Sequence, residues 1–336
     1  MTAIAGPELT RLARIVEGAL PGARVLKWEA VGDSERRTGR VFKARLADGR
    51  ALAVKAFDQA SRERFKTEYA ALHMLHALGC AVPEPMACDP EEVLLTRWAG
   101  DRTLEDAISS GVATSTEMEA VIRGFVAIDH ALDAAAMRVA SGVRDASFAA
   151  LESATRAEAL QWVAELRRPD ARNEPPLEAV LDQVLAGPRT FGCSDCSPSN
   201  VVLGERGPVF VDISAVGPGY PERRLASYLV ATGSRRPGGT FQTPLDRRGA
   251  DLFDRLSVRV GWGAGGAARL DTHLLLVCIG AMARITAALS QPRRKESKTL
   301  LRAWPNPRDR LRDLRILASY TLCDNPTGDA LRDVLL

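Results

Sequence analysis

The chain has 336 residues, with 45 Lys+Arg against 42 Asp+Glu and a formal net charge of +3. That length suits one large or two modest domains with a buried core, and so small a surplus argues against general attraction to nucleic acid or to an anionic membrane. The basic residues are uneven in kind: 39 are arginine and only 6 are lysine (Lys27, Lys43, Lys55, Lys66, Lys295 and Lys298), so a lysine inside an apolar run stands out.

The opening segment has no basic stretch followed by a long apolar one, which predicts no secretory signal and a cytoplasmic protein. An amphipathic helix is expected over 8–19, with Leu9, Leu12, Ile15 and Val16 on one face. Strands are expected over 25–31, 40–46 and 51–57, the last two joined by a turn at Asp48-Gly49. A helix over 61–78 follows, with Phe65, Tyr69, Leu72 and Leu75 at helical spacing and Gly79 as its stop. Pro83 and Pro85 break the chain before another strand at 92–98. The order strand, strand, strand, helix, strand implies a small α+β lobe on an antiparallel sheet, with a boundary at Ala99-Gly100-Asp101 that divides the chain into 1–99 and 100–336.

Beyond the boundary, Ala/Leu/Arg-rich periodicity predicts helices over 104–110, 115–137, 147–168 and 177–186. A strand-rich island at 190–213 interrupts them, with a turn at Gly204-Glu205-Arg206-Gly207. Helices resume near Glu222, then over 250–260, 270–290 and 308–322, and the Gly/Pro/Arg stretch 233–249 reads as a surface loop. The apolar run 274–283 is too short to span a bilayer and reads as a buried helix. Of the six cysteines only Cys193 and Cys196 form a close pair, and no Cys/His cluster completes a zinc site.

Chemistry concentrates in the island. Asp195 follows a short strand, Asn200 lies five residues on, and Asp212 ends a strand that a tight turn folds back beside 201–203. Such a hairpin can gather two carboxylates and an amide oxygen at one end, a set suited to Mg²⁺ with Asn200 and Asp212 as ligands and Asp195 left to accept a proton. Taken singly, Asp195 and Asn200 also suit local turns. In the small lobe, Lys55 sits in Ala-Leu-Ala-Val-Lys-Ala-Phe, where an ammonium needs a partner, and Glu68 on the next helix is the natural one. A snorkelling lysine beside a solvated glutamate is the plainer alternative.

The series Ala53-Val54-Lys55, Glu68, Asp195-x4-Asn200 with Pro198, and Asp212 resembles the protein-kinase-like fold, and more closely its aminoglycoside phosphotransferase branch. The resemblance spans roughly residues 25–230. It implies a bilobal α+β enzyme, a small antiparallel sheet lobe with one helix and a large, mainly helical C-terminal lobe, which moves the γ-phosphoryl group of ATP to a hydroxyl of a small molecule. By that resemblance Lys55 holds the α- and β-phosphates and pairs with Glu68, Asn200 and Asp212 hold Mg²⁺, and Asp195 is the base. The adenine lies against Thr96 to Ala99, including Trp98, and Gly32 and Gly39 bracket a turn over the phosphates.

Two departures from the family pattern are visible. Cys193 stands where a histidine is usual, and Tyr220 and Arg224 occupy the positions of two acids, the second of which usually braces the catalytic loop. The sequence therefore predicts a loop without its brace, and a nucleotide-binding module impaired in catalysis is the alternative reading. From Phe191 onward the chain has 14 acidic and 21 basic residues, which does not favour a polycationic acceptor. A sugar, nucleoside, macrolide-like or amino-alcohol compound fits at least as well.

Overall fold

A computed structural model describes residues 6–31, 39–86, 93–136, 141–166, 177–230, 245–295, 297–298, 301 and 306–335. The chain divides into two compact units, 1–101 with 202–216, and 102–201 with 217–336.

The first unit is built on a four-stranded antiparallel sheet in the order β1 (Val25–Ala30), β2 (Gly39–Leu46), β3 (Ala51–Phe57) and β4 (Val93–Arg97). The β2–β3 hairpin closes where Gly49 takes φ +85°, a conformation that costs a residue without Cβ little. Strand alternation decides which side chains go inward. Phe42, Ala44, Leu46, Leu52, Val54, Ala56, Val93 and Leu95 form one core with Leu12 and Val16 of helix α1 (Gly6–Ala19). The opposite face of the sheet presents Lys43, Ala53, Lys55 and Thr96, because Lys43 and Thr96 are both register partners of Ala53. Helix α2 (Arg62–Ala77) follows β3 and buries Phe65, Glu68, Ala71, Leu72 and Leu75. The hairpin of β6 (Val201–Gly204) and β7 (Gly207–Phe210) is tied into this unit by Phe210 N–H, which donates to the Ala81 carbonyl at 2.8 Å.

The second unit is mainly helical. Helix α3 (Leu104–Ser109) opens with a reciprocal cap in which Asp106 N–H donates to Thr103 Oγ1 at 3.1 Å and Thr103 N–H to Asp106 Oδ2 at 2.9 Å. Then come α4 (Ser115–Ala136), α5 (Ser141–Leu166), α6 (Leu177–Leu185), and the short strands β5 (Thr190–Cys193) and β8 (Val216–Gly219), which pair with each other. Helices α7 (Pro221–Leu229), α8 (Arg247–Arg259), α9 (Gly266–Ser290), α10 (Pro307–Ser319) and α11 (Pro326–Leu335) complete the unit.

Several boundaries differ from the sequence expectation. Helix α5 begins at Ser141 rather than 147, and both β8 and α11 were not foreseen. β8 reads Val-Gly-Pro-Gly, a turn-like composition that becomes strand only because β5 supplies a partner. The expected loop at 233–249 falls largely outside the described residues, and α8 already starts at Arg247. Helix α9, whose apolar segment was expected to be a buried core helix, is 25 residues long and apolar enough to cross a membrane by length and composition, but most of its apolar window is buried against α5, α7, α8 and α10.

In the first third of α9, His273 is fully buried, neither ring nitrogen has a hydrogen-bond partner among the described residues, and its ring centroid lies 5.5 Å from that of Tyr220. Burial, reinforced by Arg223 and Arg269, lowers its pKa from 6.5 to about 3. The folded state therefore holds it neutral, whereas the unfolded chain takes up a proton below pH 6.5. Stability is unaffected by this group above pH 6.5, declines as pH falls through that value, and stops declining near pH 3. Between pH 6.5 and 5 the expected loss is about 2 kcal/mol. Urea midpoints of wild type and His273→Leu across that range check it, since the leucine variant should lack this part of the slope.

Candidate active site

In the first unit, the period of two along β3 sends Leu52, Val54 and Ala56 into the core and leaves Lys55 on the other face. There Lys55 Nζ donates to Glu68 Oε2 of α2 at 2.6 Å, the partnership expected from sequence, and to Asp212 Oδ1 at 2.5 Å. The Lys55 side chain is 15 % exposed, Glu68 3 % and Asp212 20 %. Burial pushes the Glu68 carboxyl up, and the Lys55 ammonium pulls the other way. Asp212 adopts φ +61°, a left-handed conformation that a non-glycine residue occupies only when its surroundings hold it there. Just beyond it, Ser214 is buried and accepts from Arg64 Nη2 of α2 at 2.8 Å. One ammonium thus sits against two carboxylates from separate elements, with Asp212 the more solvent-accessible of the two.

Thr96 is buried on β4, on the sheet face of Lys55. Trp98, just past β4, donates through Nε1 to Asp101 Oδ1 at 3.0 Å. Gly32, expected over the phosphates, lies outside the described residues. Sequence reading overlooked Lys43. It is 4 % exposed, donates to Asp101 Oδ1 at 2.5 Å, and lies 4.6 Å from the centroid of the Trp98 ring. The signal was present, since Lys43 is one of six lysines and shares strand phase with a face that carries Lys55.

In the second unit, β5 leads into the loop that carries Asp195. Asp195 is exposed, and among the described residues its carboxylate has no hydrogen-bond partner. Ser197 Oγ caps a single turn at Pro198–Asn200 by accepting from Ser199 N–H, which brings Asn200 back toward Asp195. Asn200 is 5 % exposed, and its Nδ2 donates to the Asp195 carbonyl at 3.2 Å. With the amide nitrogen committed there, the amide oxygen remains for a ligand. Cys196 Sγ donates to the Cys193 carbonyl at 3.0 Å, and both cysteines are free thiols, Cys193 buried and Cys196 partly so.

The expected absence of a brace is not what the structure shows. Arg224 of α7 donates through Nε to Asp129 Oδ1 at 2.8 Å, through Nη2 to Asp129 Oδ2 at 2.6 Å, and through Nη1 to the Thr190 carbonyl of β5 at 3.3 Å. The basic residue is satisfied by an acid on α4 that sequence reading did not single out. Arg223 beside it bonds Glu158 at 3.0 Å. This doublet, counted above toward a basic acceptor environment, is therefore spent on ion pairs inside its own unit.

The sequence model of the phosphotransferase enzyme family matches residues 30–260. No protein of curated function matches the chain in sequence. Among solved structures, an aminoglycoside phosphotransferase from Alicyclobacillus acidocaldarius subsp. acidocaldarius has 12 % identity and a TM-score of 0.52, over 94 % of this chain and 96 % of that one. A choline/ethanolamine kinase family protein from Mesorhizobium loti has 14 % identity and a TM-score of 0.51, over 97 % and 99 %. A macrolide 2′-phosphotransferase from Brachybacterium faecium has 17 % identity and a TM-score of 0.50, over 88 % and 98 %. Likeness at these identities is a likeness of fold, and it bears out the kinase-like α+β architecture expected from the sequence.

Proposed function

The chain belongs to the phosphotransferase enzyme family, and from that membership we propose that it moves the γ-phosphoryl group of ATP to a hydroxyl of a small molecule, in the cytoplasm. The observation that carries the proposal is the contact of Lys55 with both Glu68 and Asp212. An ammonium held between two carboxylates in a largely buried setting is fixed in direction, which is what binding a phosphate chain requires. Thr96, Trp98 and Gly32 are assigned to the nucleotide side of the same unit.

Asp212 and Asn200 supply a carboxylate and an amide oxygen, hard donors of the kind Mg²⁺ prefers, and Asn200 Nδ2 is engaged so that its oxygen is the atom left for a cation. When bound, Mg²⁺ supplies neutralisation of charge on the transferring phosphates. Asp195 accepts the proton of the acceptor hydroxyl as its oxygen attacks the γ-phosphorus and ADP leaves. That the Asp195 carboxylate has no hydrogen-bond partner among the described residues supports this role, because a base already bonded elsewhere has less capacity for that proton.

The test has two stages. Saturating ATP with Mg²⁺ should raise the thermal midpoint by several degrees, since ligand at 100 times its Kd stabilises by about 2.7 kcal/mol, and chelation of the metal should remove most of the gain. Transfer of labelled γ-phosphate is then measured across hydroxyl acceptors that include aminoglycosides, macrolides, nucleosides and amino alcohols. No stabilisation by nucleotide would sink the reading. Stabilisation with no ADP formed on any acceptor would favour the catalytically impaired module.

A further inference from the structure

The loop that carries Asp195 has little sheet to hold it. Among the described residues strand β5 pairs only with β8, each is four residues long, and a two-stranded ribbon of that size is not stable on its own account. Beyond β5 the Asp195 side chain makes no hydrogen bond among the described residues, so its position is inherited entirely from the backbone.

That backbone is gripped from two helices. From α4, Asp133 Oδ1 accepts the Phe191 N–H at 2.8 Å, and Asp129 accepts the Thr190 hydroxyl at 3.1 Å. From α7, Arg224 bonds both oxygens of Asp129 and reaches the carbonyl and the hydroxyl of Thr190. The Arg224 and Asp129 side chains are 6 % and 2 % exposed. The guanidinium also lies close against two glycines. A Cβ at Gly192 of β5 would collide with Asp129 Oδ1 and the Arg224 fork, and one at Gly219 of β8 would collide with Arg224 Nη1. Both strands therefore leave out a side chain at the place where the ion pair enters.

We infer that Arg224 and Asp129 are positioning residues for catalysis: their buried, bidentate pair fixes β5 and so sets where Asp195 is presented, three residues beyond Gly192. This rests on the assignment of Asp195 as base. A planar fork that bonds Asp129 and Thr190 at once cannot be replaced by a point charge, so charge neutralisation and strand positioning are separable.

The test uses two variants of the full chain. Arg224→Lys keeps the charge opposite Asp129 but loses the fork. The double variant Asp129→Leu with Arg224→Met removes both charges together and leaves neither buried alone, which protects the fold. In both, amide hydrogen exchange at 191–200 should quicken about tenfold or more while α4 and α9 keep wild-type protection. In the same variants kcat should fall about 10- to 100-fold with the KM for ATP unchanged, as expected for a misplaced base rather than lost nucleotide contacts. Unchanged exchange at 191–200 in both variants would overturn the inference. Asp195→Asn in the wild-type background separates the two claims: if it transfers phosphate at the wild-type rate while the brace variants still loosen 191–200, the base is misassigned and the brace stands.

Discussion

Asp195→Ala should lower phosphoryl transfer about 10²- to 10⁴-fold while leaving ATP binding close to wild type. The range is that of lost general-base assistance. Asp195 is exposed and has no hydrogen-bond partner among the described residues, so its removal strands no buried donor and should not disturb the fold. The nucleotide contacts assigned to Lys55, Glu68 and Asp212 belong to the other compact unit, so the thermal shift with ATP and Mg²⁺ should be retained. Single-turnover transfer and the nucleotide-induced shift, measured on the same preparation, check both halves. Wild-type transfer in the variant would remove Asp195 from the mechanism, and loss of the shift would place it on the nucleotide instead.

The second large effect is on stability. Arg224→Ala leaves the Asp129 carboxylate almost fully buried with, among the described residues, only the Thr190 hydroxyl as a direct donor. Breaking one side of a buried pair in this way costs about 3–5 kcal/mol, because the remaining charge has lost both its partner and its water. Urea denaturation should show that loss. A matched control is Arg189→Ala, whose partner Glu152 lies at 2.8 Å with both side chains about 40 % exposed. Solvent screens that pair, and the expected change is between 0 and about 1 kcal/mol. Equal losses in the two variants would mean that the Arg224 pair is far better hydrated than its burial indicates. The double variant Asp129→Leu with Arg224→Met should recover most of the stability but not the loop order, which distinguishes a charge needed for folding from one needed for placement.

The parts of this protein legible in its sequence are those governed by local rules. The alternation over 51–57 and the turn at Asp48-Gly49 define β3 and its hairpin whatever the rest of the chain does. Lys55 was conspicuous because lysine is scarce here, and a lone ammonium among apolar neighbours requires an anion; Glu68, 13 residues on, is that anion. The spacing of Asp195, Asn200 and Asp212 was visible as well, and membership of the family bears out the resemblance drawn from it. What stayed hidden has a common cause. β8 is a strand only because β5 lies beside it, and Lys43 is buried only because Trp98 and Asp101 fold over it. Both are outcomes of pairing between distant segments, which composition does not encode.

Arg224 marks the division most clearly. By sequence it is a basic residue where an acid is usual, one of 39 arginines, and the inference of a missing brace followed from that substitution alone. In the folded chain Asp129, 95 residues earlier, supplies the opposite charge, and Gly192 and Gly219 leave the space for the pair. The sequence by itself determined the order of elements in the sheet of the first unit, the lysine that needs a partner and the carboxylates proposed for chemistry, because propensity, period and charge scarcity act over a few residues. Only the tertiary structure decided which charges are consumed and which remain free. Electrostatic satisfaction depends on distance in space and on burial, and neither can be read from separation along the chain.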